Sequence, residues 1–268
     1  MNSQIILVLI LNFIISLIGT LAYSVRLVGV RTGKIAVSFA LFNVLMLVSR
    51  TAVTFQTPLL TSYVEVNPSS NDLLYIFNII IVISSIATVA GAFLIPTFQR
   101  LLCRAVESFS QERSLSKILI HSFSKSGVRY MKDCISIPSK KNLTKLKMSD
   151  LPLNIIVLNT ITVALITVGV LSPIYAGGIA PELRATCITL SSVINGFATI
   201  FMSIFIDPQL SIMTDDVIDG KCSEPTFRAC VIAMVGSKTL GTVLSLLLLL
   251  PASYMIVGIA QFISTLGV

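Results

Sequence analysis

Long apolar segments recur along the chain and are separated by short polar segments. A transmembrane helix needs about 20 apolar residues, because it must cross a hydrocarbon core of about 30 Å at a rise of about 1.5 Å per residue. Six segments are long enough for one transmembrane helix each: 5–23, 35–58, 73–95, 153–175, 186–206 and 227–250. The predicted fold class is therefore all-α, a polytopic integral membrane protein with six transmembrane helices.

Two of these predictions concern segments of marginal length. The second apolar stretch, 35–49, covers only fifteen residues and stops at Arg50, so a spanning helix must continue through Arg50 to about Pro58. The C-terminal tail, 252–268, is uncharged but only seventeen residues long. It could lie at the membrane interface, re-enter the bilayer or form a short seventh span.

The distribution of charge predicts the orientation. Residues 96–151 contain eleven Lys or Arg and four Asp or Glu, which accounts for the whole net charge of +7. Basic loops stay in the cytoplasm, so residues 26–34 and 96–151 are expected inside and the N-terminus outside. The loop 207–224, with five acids and one base, fits this scheme less well. Since the positive-inside rule already explains the basic segment, we expect no nucleic-acid partner.

Apolar residues in the basic segment recur at helical spacing. This pattern is typical of amphipathic helices on a membrane surface, so we expect contact with anionic inner-leaflet lipids rather than a dedicated protein partner. The apolar positions form two faces: Leu101, Leu102, Ala105, Val106 and Phe109, then Leu115, Ile118, Leu119 and Phe123.

The two halves of the chain have the same order of apolar spans when they are aligned at an offset of 152 residues. Tyr23 falls on Tyr175, and Asn43 falls on Asn195 in the middle of the second span of each half. Three spans per half is an odd number, so the halves would have opposite orientations, as in many transporters. We predict two inverted three-helix repeats, 1–98 and 152–268, joined by the basic segment 99–151.

The charges inside the predicted spans are all positive. Charges in the bilayer cost about 2.5–3.5 kcal/mol on insertion scales, so Arg50 and Lys238 should face protein or water. An alternative for Arg50 is snorkelling to the external headgroups, and an alternative for Lys238 is a helix that begins near Thr239. With Arg26, Arg31, Arg184 and Arg228 at the span ends, these residues suit an anion that enters from lipid, because Arg binds phosphate oxygens bidentately.

Motifs of catalysis or cofactor binding are absent from the sequence. It has no HExxH, no GxSxG and no glycine-rich phosphate loop, so we expect a transporter, no enzyme activity and no cofactor. Asp215, Asp216 and Asp219 could in principle hold a cation, but a solvated acidic turn is the preferred interpretation.

The segment from Tyr23 to Lys34 reads YSVRLVGVRTGK. With its continuation to Leu60, this segment resembles the Amj family of bacterial lipid II flippases, described as an alternative to the MurJ flippase. The resemblance implies transfer of an undecaprenyl-diphosphate-linked peptidoglycan precursor from the inner to the outer leaflet of the bacterial cell membrane. The candidate substrate-binding residues come from three sources. Arg26, Arg31, Lys34, Asn43 and Arg50 stand in the matching string, Asn195 is the repeat counterpart of Asn43, and Arg228 and Lys238 follow from their positions along the sixth span.

Two alternatives remain open at this point. One is a small-anion or drug exporter, and the other is a non-transporting scaffold of an envelope complex. The oligomeric state is left open.

Overall fold

The computed structural model describes residues 3–67, 70–112, 134–136 and 153–266, with the side chains of 70–71 and 109–112 excepted. The described residues confirm the all-helical fold class. Within these ranges, six helical segments are long and apolar enough to cross a membrane: Ser3–Thr32, Ile35–Val66, Asp72–Ser108, Leu153–Ile179, Pro181–Ile218 and Glu224–Leu266.

The first half contains three spanning segments, of which the first packs between the other two. Its first segment contains a 3₁₀ turn, Ala22–Ser24, and ends at Gly33, which is in a left-handed conformation with φ of 64°. Asn12 in this segment is buried and donates from its amide to the Ile80 carbonyl at 2.9 Å and to the Ser84 hydroxyl at 2.6 Å. The helices of this half are α1 (Ser3–Leu21), α2 (Val25–Thr32), α3 (Ile35–Val66) and α4 (Ser70–Glu112).

In the second half, the first helix contacts both the second and the third segments. Asn159 is buried in the first helix and donates to the Met234 carbonyl at 3.2 Å and to the Ser237 hydroxyl at 2.6 Å. The second segment begins with a 3₁₀ turn, Pro181–Leu183, and continues through a π-helical turn, Met202–Ile206. The helices are α5 (Leu153–Ile179), α6 (Arg184–Thr189), α7 (Ser191–Phe201), α8 (Asp207–Ile218) and α9 (Glu224–Leu266).

The predicted second span does continue through Arg50 and Pro58, because α3 is one helix of 32 residues. The polar segment 207–224 differs from the expected loop. Most of it is the helix α8, and only residues 219–223, with Gly220 at φ of 74°, form a turn. Its acids lie mainly on a helix that follows the fifth span without a break, so the loop prediction was wrong.

The C-terminal tail does not form a separate seventh helix in the described part of the chain. Residues 252–266 continue α9 through Pro251, which gives one helix of 43 residues and about 65 Å. Ile256 and Ala260 pack against Ala176 and Cys187. The tail therefore packs against helices of the second half.

The first apolar face of the basic segment also packs on protein. Leu102 and Val106 belong to α4 and are buried against Val25 and Val28 of α2, so this part of the face is not available to a lipid surface. The second predicted face, residues 115–123, lies outside the described residues.

A large apolar cluster joins the two halves at the end of the molecule that carries the N-terminus and the turn near residue 67. Helices α1, α3, α4, α5 and α9 all contribute buried residues to it, including Ile5, Leu60, Phe77 and Leu249. The Phe77 and Tyr175 rings meet edge to face at 5.4 Å between their centroids. The basic turns around Arg31 and Arg228 lie at the opposite end of the helices.

Candidate functional site

A cavity of about 370 Å³ lies between the two halves. Side chains from α1, α2, α3, α4, α5, α8 and α9 line it, together with the turns 22–24 and 202–206. The lining is mainly apolar, with a small set of polar groups. Its charged members are Arg26, Arg50, Lys238 and Asp207, so basic groups outnumber acidic groups by three to one.

Arg50 lies halfway along α3 and lines the cavity. No carboxylate among the described residues is within ion-pair distance of its guanidinium. A charge at the middle of a spanning helix needs either water or a counter-ion. Arg50 is exposed and lines the cavity, so its guanidinium is available to bind an anion there.

Lys238 lies fourteen residues after the start of α9, so the alternative in which the helix begins near Thr239 is wrong. Its ammonium donates to the backbone carbonyl of Ser16 on α1 at 3.3 Å and lies 5.9 Å from the centroid of the Tyr23 ring. Gly19 makes room for this contact, because a Cβ there would lie 2.7 Å from Lys238 Nζ. No carboxylate in the described ranges pairs with the ammonium.

The Tyr23 ring that faces Lys238 is itself held in place. Its hydroxyl donates to the Asn159 side-chain oxygen at 3.0 Å, and Asn159 is 0% exposed. One network therefore links the first half, at Tyr23, to the second half, at Asn159 and Lys238. The sequence contained these residues but no pattern that linked Gly19 or Tyr23 to Lys238.

Arg26 is the third basic group of the cavity, and it is the one with a carboxylate partner. Its Nη2 lies 2.8 Å from Asp207 Oδ1, and its Nη1 donates to the Ser211 hydroxyl at 2.9 Å. Asp207 was missed as a site residue because the apolar fifth span ends at Ile206. The π-helical turn 202–206 changes the helical register just before Asp207, and this carboxylate lines the cavity.

Neutral amides form another polar part of the cavity wall. Gln56 donates to the Asn12 side-chain oxygen at 3.2 Å, and the Asn12 amide is held by Ile80 and Ser84. Asn12, Gln56 and Ser84 all line the cavity. They connect α1, α3 and α4, and they present hydrogen-bonding groups without charge.

The other five candidate residues lie outside the cavity. Arg31 and Arg228 share the Glu224 carboxylate, at 2.8 Å and 2.9 Å, near the basic end of the helices. Lys34 precedes α3, and Asn43 is on an exposed face of that helix. Asn195 donates to the Ser191 hydroxyl at 3.1 Å. The structure therefore brings together three of the eight candidates, Arg26, Arg50 and Lys238.

The acidic turn offers no metal site within the described ranges, where no group of three or more His, Cys, Asp or Glu side chains could hold an ion. Asp219 instead pairs with Lys221 at 2.8 Å, and both side chains are exposed.

Six helices that are long and apolar enough to cross a membrane, arranged around an internal cavity, are the architecture of a multi-pass membrane protein. Residues 11–260 match the family model described as "Amj: Alternate to MurJ". The chain is also 33% identical over 265 residues to the lipid II flippase Amj of Bacillus subtilis (strain 168), covering 97% of this chain and 98% of the relative. The chain belongs to the Amj family, whose members are transporters of the flippase class and not enzymes. No solved structure matches it.

Proposed function

We propose that this protein is a lipid II flippase that moves an undecaprenyl-diphosphate-linked peptidoglycan precursor through the cavity, from the inner to the outer leaflet. The observation that carries the proposal is the pair of basic side chains, Arg50 and Lys238, which line the cavity without carboxylate partners among the described residues. The Bacillus relative, whose name states lipid II as its substrate, supports the same conclusion.

The chemistry of the cavity suits a diphosphate headgroup. Arg50 can donate two parallel hydrogen bonds to phosphate oxygens, whereas Lys238 provides a compact point charge. The neutral Gln56 amide, which lines the cavity, is suited to hydroxyl and amide groups, while the prenyl chain stays in the lipid. Flipping makes and breaks no covalent bond, so the cavity needs no catalytic acid or base.

The orientation and the inverted repeat are part of the proposal. The basic segments at Arg31 and Arg228 meet at one end of the helices, and the positive-inside rule puts that end in the cytoplasm and the N-terminus outside. Buried asparagines in the first helix of each half, Asn12 and Asn159, each bind a backbone carbonyl and a serine of the third segment, which supports two related halves.

The membrane potential is the proposed driving force. A potential of 100 mV is worth about 2.3 kcal/mol for each elementary charge that crosses the membrane. An inside-negative potential therefore favours outward movement of an anionic headgroup.

The test is flipping of labelled lipid II in proteoliposomes that contain the purified protein. We expect transport by the wild type and a ten- to hundredfold loss in Arg50→Ala and in Lys238→Ala, because a hydrogen bond to a charged group contributes about 1.5–3 kcal/mol. Arg50→Lys should retain part of the activity, since it keeps the charge and loses the bidentate geometry.

Two surface substitutions serve as matched controls. Arg100→Ala and Lys221→Ala remove the same side chains from exposed positions outside the cavity, so they should transport at the wild-type rate. Folded wild type that moves no lipid II would overturn the function and favour an exporter or a scaffold. Full activity in both cavity variants would leave the function standing and remove the role of the cavity.

A further inference from the structure

Different groups lie at the two ends of the cavity. At one end, the cavity meets the large apolar cluster at Leu171, and this cluster ties five helices together. Near the basic end, the Arg26 side chain extends between α3 and α8. Its guanidinium lies 5.4 Å from the centroid of the Phe39 ring on α3 and binds Asp207 and Ser211 on α8.

Asp207 stands out among the groups around the cavity. It is the single carboxylate that lines the cavity within the described residues, and its partner Arg26 belongs to the other half of the chain. The Arg26 side chain is only 16% exposed, while that of Asp207 is 48% exposed. A phosphate oxygen offers Arg26 the same charge-assisted hydrogen bond that the carboxylate now accepts.

We propose that Asp207 and Arg26 form a gate between α3 and α8, which the anionic headgroup opens by taking the Arg26 guanidinium from the Asp207 carboxylate. In the empty cavity, Asp207 and Ser211 hold the arginine across the opening. When a phosphate binds, the arginine turns towards the cavity and the opening is free. The opening step rests on the proposed function, whereas the closed gate can be tested without lipid.

The gate makes Asp207 a competitor of the substrate rather than a ligand for it. Removal of its negative charge should therefore have two effects. The cavity should become easier to reach from the side that carries the turn 219–223, and the affinity for a diphosphate lipid should rise. A carboxylate that served only to stabilise the fold would not open the cavity from one side.

The first experiment measures access to the cavity with a membrane-impermeant thiol reagent. Ser49→Cys, in a background with the five native cysteines replaced, puts a nearly isosteric reporter on the cavity wall, and Lys221→Cys marks the side that carries the turn 219–223. We expect Asp207→Asn to raise Ser49→Cys labelling from the marked side about three- to tenfold, because one charge-assisted hydrogen bond is lost at a partly exposed pair. The exchanged pair Arg26→Asp with Asp207→Arg should restore slow labelling.

Unchanged labelling in Asp207→Asn, or an equal rise from both sides, would overturn the gate. Arg26→Gln breaks the same ion pair by changing its partner on α2, and it must raise Ser49→Cys labelling by the same factor. The test therefore does not depend on the folding of one variant. Labelling is compared only between proteins that have the same melting temperature and the same size-exclusion profile.

The second experiment measures binding of undecaprenyl diphosphate to the purified protein in detergent. We expect Asp207→Asn to bind about three- to tenfold more tightly than the wild type, since the competing carboxylate is gone. Weaker binding in this variant would contradict the competition. Absence of binding to the wild type would count against the proposed function, while the labelling experiment would still decide the gate.

Discussion

Gly19→Ala tests how Lys238 is held in the cavity. A Cβ at position 19 would lie 2.7 Å from Lys238 Nζ, and ordinary contacts to a Cβ begin at about 3.4 Å, so the ammonium must move by at least about 0.7 Å. The lysine side chain is flexible, so its end can make this move, but its 3.3 Å hydrogen bond to the Ser16 carbonyl and its contact with the Tyr23 ring, 5.9 Å from the centroid, become weaker. This weakening costs about 1 kcal/mol.

We expect Gly19→Ala to melt about two degrees below Gly236→Ala in detergent, since both variants share the gain in helix propensity, and to slow lipid II flipping about threefold. The cause is isolated by a double-mutant cycle read by thermal stability. In the Lys238→Ala background the alanine at 19 has no ammonium to displace, so its destabilisation should disappear. Gly236→Ala is the matched control, because a Cβ there meets open space.

Two results would refute this reasoning. If Gly19→Ala destabilises the Lys238→Ala protein as much as the wild type, Gly19 acts through helix packing and not through the lysine. If Gly19→Ala leaves both stability and flipping unchanged, the ammonium is not held at the Ser16 carbonyl.

Three further outcomes are expected. Gly241→Ala should destabilise the protein by about 2–3 kcal/mol, because its Cβ would lie 2.6 Å from the Thr160 carbonyl oxygen. The control is Gly258→Ala, whose Cβ faces open space, and this variant should melt like the wild type. Asn159→Leu should lower the free energy of unfolding by about 2 kcal/mol, because its buried hydrogen bonds are lost. Asn43→Leu removes an exposed amide and should leave the free energy of unfolding unchanged. Collapse of an inside-negative potential in proteoliposomes should slow outward flipping, and an unchanged rate would exclude the potential as driving force.

The hydrophobic pattern predicted the membrane architecture well, because a helix in lipid must be both long and apolar. It also predicted that the second span continues through Arg50, since the preceding apolar stretch is too short to span. It was wrong for residues 207–224, where polarity was taken to end the helix. Polar residues end a membrane span but not a helix, so α8 continues into the acidic segment.

The charged residues of the cavity were predictable in part. The positions of Arg50 and Lys238 within apolar spans singled them out, because a charge in the bilayer needs a polar environment. Asp207 was not predicted as a site residue, because its position on the cavity depends on the π-helical turn before it and on its ion pair with Arg26 of the other half. Contacts between residues 181 positions apart, as in this pair, are not encoded in a local pattern.

The most direct test of the account is to block the cavity and measure transport. Ser49→Cys in the cysteine-replaced background is labelled with a bulky maleimide, and flipping of lipid II is measured in proteoliposomes before and after labelling. Leu47→Cys, on an exposed face of the same helix, is the matched control. The account predicts that the label stops flipping at position 49 and leaves it unchanged at position 47. Undiminished flipping by a protein that is fully labelled at position 49 would contradict transport through this cavity.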